Sequence, residues 1–223
     1  MPPIIWIETK MRDLSLYLPG ILMAHAAFLL AIASPGPNIL AVIGTAMSVG
    51  RKSGVALALG VATGSLGWAV LTVIGLSALL TKYAIALTAI KIFGGLYLLW
   101  LAYKAFKSAR PDHDIEAREL DGGKRSAFGY AKSGFIIQMT NPKAALAWIA
   151  IISLGLTENA PIWVGATIVL GTFSLSVVIH TIYAVAFSTP AMVRIYGKAR
   201  RTVQLSLGAF FAFAGIKLLT SRL

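Results

Sequence analysis

No cysteine occurs in this chain, which excludes disulfides, thiol nucleophiles and thiolate-bound metals. Charge is also scarce. Charged residues make up 13% of the sequence, against about 25% for a soluble domain. Acids are the scarcest of all. The eight Asp and Glu residues are Glu8, Asp13, five between positions 112 and 121, and Glu158. None falls in an apolar run, which removes the carboxylate relay of many proton pumps and leaves a divalent cation without its oxygen anions. Ser, His and Asp do not cluster, so a hydrolase triad has no support.

What remains is apolar. Hydrophobic residues make up 57% of the 223 positions and mean hydropathy is +0.79, in runs long enough to cross a bilayer, which takes about 20 residues. The chain reads as an all-α integral membrane protein, because isolated segments in lipid must satisfy their own backbone hydrogen bonds. Six spans are expected: Leu16–Met47, Gly54–Leu80, Tyr83–Phe106, Phe128–Leu156, Pro161–Thr189 and Val203–Leu219. A cleaved leader ending at "AIAS" (Ala31–Ser34) is the rival reading of the first run, but apolar character resumes at Ile39 and cleavage would split a span. Translation could begin at Met1 or at Met11.

The net charge of +12 is confined to the gaps between spans, where topology signals belong, so it does not point to nucleic acid. With the N-terminus outside, the inside loops hold 13 Lys and Arg: Arg51 and Lys52, seven from Lys104 to Lys132, and four from Arg194 to Arg201. The outside holds 4: Lys10, Arg12, Lys82 and Arg222. This bias places both termini outside. Lys104 and Lys217 then sit near helix ends as interfacial anchors, and Lys91 is close enough to an end to snorkel. The loop carrying "DHD" (Asp112, His113, Asp114) reads as a solvated mixed-charge stretch, with no metal site assigned.

The two halves echo one another. "SPGPNILAV" in the first span aligns with "MTNPKAALA" in the fourth, and "GLYLLWLAYK" from Gly95 aligns with "GAFFAFAGIK" from Gly208. We read one membrane domain over residues 1–223: a repeat at about 14–107, a cytoplasmic loop at about 108–127, and a second repeat at about 128–223. An odd number of helices per repeat inverts the second relative to the first, and proline-broken helices at matching positions then point to a transport site at the midplane. Gly60, Gly64 and Gly67, like Gly208, Ala212 and Gly215, form small helix faces read as packing seams.

Three buried titratable groups stand out. Lys143 falls near the centre of the fourth span, too deep to snorkel, and His25 and His180 lie within other spans. Each is a candidate for moving protons, although a histidine bonded to a neighbouring carbonyl is the commoner arrangement. No catalytic residue and no cofactor is expected.

A proline-broken first helix reading P-G-P-N, "GRKSG" after it, a glycine-rich second helix and "NPKAALAW" in the fourth together resemble the LysE/RhtB family of amino-acid exporters, over essentially the whole chain from Leu16. The resemblance implies a six-helix inner-membrane homodimer that exports amino acids or close derivatives against protons. On matching positions it places the substrate at Pro35, Gly36, Pro37, Asn38, Asn141, Pro142 and Lys143. The family takes basic, neutral and sulfur-containing substrates. The lack of a buried acid favours neutral ones here. The alternatives are export of another small polar metabolite or ion, or an intramembrane enzyme.

Overall fold

The computed structural model describes residues 3–33, 36–82, 84–110, 125–157 and 160–220. The "DHD" stretch, Pro35 and Glu158 lie outside these residues, as do the side chains of Lys91 and Pro142.

Among the described residues the chain is all helix, in eight elements: α1 (Pro3–Ala33), α2 (Pro37–Ser48), α3 (Arg51–Lys82), α4 (Ala84–Ser108), α5 (Ala127–Met139), α6 (Pro142–Gly155), α7 (Ile162–Ala186) and α8 (Pro190–Thr220). Four stretches are long and apolar enough to cross a membrane: Leu14–Ala33, Arg51–Gly75, Ile162–Ala186 and Arg194–Thr220. The pair α5 and α6, bent by 66°, makes a fifth if it is one broken span. The expected third span coincides with α4, 25 residues long.

The first and fourth apolar runs are each two helices, as the proline breaks expected from the sequence require, with a proline opening the second member of each pair. One expectation needs correcting. The last helix begins at Pro190, thirteen residues before the expected Val203, since Arg194 to Arg201 extend the helix beyond its apolar part.

Small residues set the pairings. In α3, Gly60 abuts the Ala131 backbone, Gly64 meets Phe135 and Gln138, and Gly67 meets the Met139 sulfur, so α3 and α5 run parallel. A Cβ on Gly134 would fall on the Leu57 carbonyl, which is why this seam admits only glycine. Gly95 faces Leu219, Leu99 faces Gly215, and Phe106 covers Gly208, an antiparallel register between α4 and α8. These contacts bear out the reading of both glycine faces as packing seams.

The broken pairs also cross in register. Gly20 lies against Gly155, the Phe28 and Trp148 rings are 5.1 Å apart, and Asn38 bonds Gln138. Each step forward along α1–α2 is a step back along α5–α6, so the break before Pro37 falls opposite the break before Pro142. Gly50, at φ 119°, makes the turn from α2 into α3 in a backbone region that side chains resist.

Candidate functional site

A proline removes an N–H, and the carbonyl four residues earlier loses its partner. At Pro37 that carbonyl belongs to Ala33, and the Tyr183 hydroxyl of α7 donates to it at 3.2 Å. At Pro142 it belongs to Gln138, and the Trp68 indole N–H of α3 donates to it at 3.1 Å. An aromatic donor from a distant helix therefore reaches each carbonyl, at Gln138 alongside the Asn141 N–H at 3.3 Å. The breaks do not leave these two carbonyls open, and sequence reasoning missed both donors. Their signal was only chemical: an aromatic ring with a polar tip belongs where an apolar body must carry one hydrogen bond.

The N-termini of α2 and α6 start at the breaks. Asn141 caps α6, its Oδ1 accepting from the Lys143 N–H at 3.0 Å. Gly36 caps α2 with no side-chain bond, and its backbone is ordinary extended chain, φ −119° and ψ 178°. Space, not conformation, favours a small residue there. A Cβ on Gly36 would lie 3.1 Å from Asn38 Oδ1 and 3.5 Å from the Lys143 ammonium nitrogen. Asn38 is held from both sides, donating from Nδ2 to Gln138 Oε1 at 2.9 Å and accepting from the Ile39 N–H at 3.0 Å.

Around this junction lies a cavity of about 460 Å³. Gly36, Pro37, Asn38, Asn141 and Lys143 line it, so the structure brings together five of the seven residues expected from the sequence. Pro35 lies outside the described residues, and Pro142 contributes its helix start. Phe28, Ile32, Ala147, Trp148 and Ile151 form the apolar wall. Two helices not foreseen at the site complete it. A stripe of α4 supplies Leu101, Lys104 and Ser108, and a stripe of α8 supplies Arg200, Gln204 and Phe211. Tyr97, one turn before that stripe, donates to the Lys143 carbonyl at 2.9 Å. The placement of Lys104 corrects its reading as a plain interfacial anchor, because it lines the cavity, with its ammonium 4.3 Å from the centre of the Trp100 ring.

The histidines stand apart. His25 Nδ1 is 2.7 Å from the Ile21 carbonyl and its ring packs on Gly171. His180 Nδ1 is 2.8 Å from the Ser176 carbonyl, and its Nε2 is buried with no hydrogen-bond partner. Neither lines the cavity.

Two helix N-termini, a deep ammonium and polar amides around a chamber of this size fit a small carboxylate. Helix N-termini carry partial positive charge, and the fixed cation adds to it.

The family described as "LysE type translocator" matches residues 29–222. The threonine efflux protein of Escherichia coli K12 is 33% identical over 202 residues, covering 87% of this chain and 94% of that protein. The uncharacterized membrane protein YahN of the same organism is 28% identical over 203 residues, 91% of this chain and 90% of its own. The leucine efflux protein of Klebsiella pneumoniae is 27% identical over 138 residues, 62% of this chain and 63% of its own. No solved structure matches. With apolar helices packed on glycine seams and a family match running from the last turns of α1 to residue 222, this membrane protein belongs to the LysE type translocator family.

Proposed function

We propose that the chain exports amino acids, neutral ones favoured, across a bacterial-type inner membrane in exchange for protons. The observation that carries this is the juxtaposition of the two proline breaks around Lys143, in a cavity with room for a small zwitterion. Relatives named for threonine and leucine efflux support the neutral class. Lys143 takes the substrate carboxylate together with the N-termini of α2 and α6, and Gly36 keeps room for that approach. Asn38, Asn141 and the starts of α2 and α6 at Pro37 and Pro142 fix the geometry, with Pro35 assigned on the sequence alone. Lys143 is the first candidate for carrying the exchanged proton, with His25 and His180 behind it because neither lines the cavity.

The same reading takes the chain as six spans in two inverted three-helix repeats, with both termini outside and two copies per assembly. The antiparallel registers of α1–α2 with α5–α6 and of α4 with α8 support the inversion. So does the reciprocal capping, in which α7 serves the first break and α3 the fourth-span break.

Counterflow in proteoliposomes against a panel of labelled amino acids tests the proposal. Neutral amino acids should exchange, and Lys143→Met should abolish exchange while the protein still inserts and folds. Exchange by Lys143→Met at the parent rate, with unchanged pH dependence, would move the site elsewhere.

A further inference from the structure

An amino acid carries two charged groups, and Lys143 with the N-termini of α2 and α6 serves the carboxylate only. Its ammonium has three donors and needs oxygen acceptors. Six side chains of the described cavity lining carry an oxygen: Asn38, Ser65, Ser108, Gln138, Asn141 and Gln204. Four of these already accept a hydrogen bond. Asn38 Oδ1 takes the Ile39 N–H, Asn141 Oδ1 the Lys143 N–H, Gln138 Oε1 the Asn38 amide, and Ser108 Oγ the Arg200 guanidinium. The Ala33 and Gln138 carbonyls at the breaks are engaged as well, by Tyr183 and Trp68. Ser65 Oγ and Gln204 Oε1 are the two left without a hydrogen-bond partner among the described residues.

Both side chains are buried in the wall, Ser65 1% and Gln204 2% exposed. A buried oxygen with no partner is unfavourable, and helix hydroxyls ordinarily turn back to the carbonyl four residues earlier. On α3 itself Thr63 donates to Leu59 and Thr72 to Trp68 in this way, whereas Ser65 does not. Ser65 also stands at the depth of the breaks. It follows Gly64, which meets Gln138, and Trp68 one turn on donates to the Gln138 carbonyl. Gln138 in turn bonds Asn38, and Asn38 and the Lys143 ammonium both border Gly36. The free hydroxyl therefore belongs to the same polar cluster as Lys143. Gln204 enters from α8, one turn beyond the Arg200 that ties this helix to Ser108. The Tyr196 hydroxyl adjoins Gln204 and is itself without a partner, so it competes for that oxygen.

The geometry points to Ser65 Oγ and Gln204 Oε1 as the acceptors of the substrate's α-ammonium, a subsite that complements the carboxylate site at Lys143. This rests on the reading of the cavity as an amino-acid site. An uncommitted oxygen turns toward an occupant without first breaking a bond, and a charged donor roughly doubles the strength of the bond it then makes. Ser65 and Gln204 come from α3 and α8, so the ammonium is gripped by helices other than those whose N-termini hold the carboxylate. Because the two groups share one carbon, holding both fixes the orientation of the substrate. Its side chain is left to the apolar wall of Phe28, Ile32 and Trp148, in keeping with the neutral class.

The test is inhibition of labelled threonine or leucine exchange in proteoliposomes of the full chain. The inhibitors are the unlabelled amino acid and its analogue with a 2-hydroxyl in place of the ammonium. The readout is the ratio of the two half-inhibiting concentrations, analogue over amino acid, so a variant with fewer folded copies still reports. In the parent the ratio should be on the order of tenfold, the lower end for a hydrogen bond to a charged group. Ser65→Ala should lower it, and Ser65→Ala with Gln204→Leu should lower it further. Gln204→Glu keeps an acceptor and adds a negative charge, so it should raise the ratio. Tyr196→Phe removes the competing donor and should leave the ratio at or above the parent's. A parent ratio near one overturns the inference, as does a ratio that Ser65→Ala leaves unchanged or that falls in Gln204→Glu. A ratio that survives the double substitution overturns it as well, and would place the ammonium on backbone carbonyls at the end of α1. If the parent exchanges neither threonine nor leucine, the amino-acid reading itself fails and this inference with it, a different result from exchange that ignores the ammonium.

Discussion

Tyr183→Phe isolates the contribution of one hydrogen bond to the broken first span. The substitution deletes a single oxygen, leaves the ring, and preserves its 5.5 Å packing against Phe187. What it removes is the donor to the Ala33 carbonyl, which Pro37 has already deprived of its helical partner. An unsatisfied buried carbonyl costs about 1–3 kcal/mol. Side-chain hydrogen bonds between membrane helices average nearer ~0.6 kcal/mol, because alternative partners exist. Tyr183 is half-buried and the break adjoins a cavity, so water can replace part of the bond, and about 1 kcal/mol is the expected loss. For a chain of this size that lowers the unfolding midpoint by roughly 2–4 °C. Thermal unfolding of the purified protein in detergent, followed by the fraction remaining monodisperse, measures it. The exchange rate should fall as well, since the break loses one of the contacts that fix its geometry. Trp68→Phe at the other break should cost less through its hydrogen bond, because the Gln138 carbonyl also accepts from the Asn141 N–H at 3.3 Å, with an added loss of packing. If Tyr183→Phe and Trp68→Phe both melt and transport like the parent, the capping of proline-freed carbonyls does not hold the site, and the breaks are set by the prolines alone.

Other perturbations probe separate parts of the structure. Gly36→Leu should block exchange sterically, since even a Cβ there lies 3.5 Å from the Lys143 ammonium, and binding of substrate to the purified variant checks it. Asn38→Ala should raise the half-saturating substrate concentration more than it lowers the maximal rate, as it frees Gln138 without touching Lys143; equal effects on both would contradict a binding role. Gly134→Ala should cost about 1–3 kcal/mol by overpacking the α3–α5 seam, visible as a lower melting point, because its Cβ would fall on the Leu57 carbonyl. For topology, the cysteine-free chain accepts single reporters without background. Ser126→Cys should resist an impermeant maleimide in intact cells while Asn159→Cys labels, and the reverse pattern would invert the orientation.

Composition and hydropathy alone determined that this is a helical membrane protein, because apolar runs of this length have few other physical options. The local chemistry of proline was equally legible. Pro37 and Pro142 had to interrupt their helices, and both open a new one. The glycine faces of α3 and α8 were readable as seams, because only a missing side chain lets backbones touch. Partners across the bundle were beyond the sequence. Tyr183 lies 150 residues from the Ala33 carbonyl it serves, and Trp68 lies 70 from the Gln138 carbonyl. Nothing in their local patterns distinguishes them from other membrane aromatics. Lys104 illustrates the limit most sharply. Its position near a helix end fits an interfacial anchor, and only the packing of α4 against α8 turns that end of the helix into a cavity wall. One-dimensional periodicity says which face of a helix is unusual. Which neighbour that face meets depends on contacts between distant segments, which only the tertiary structure fixes.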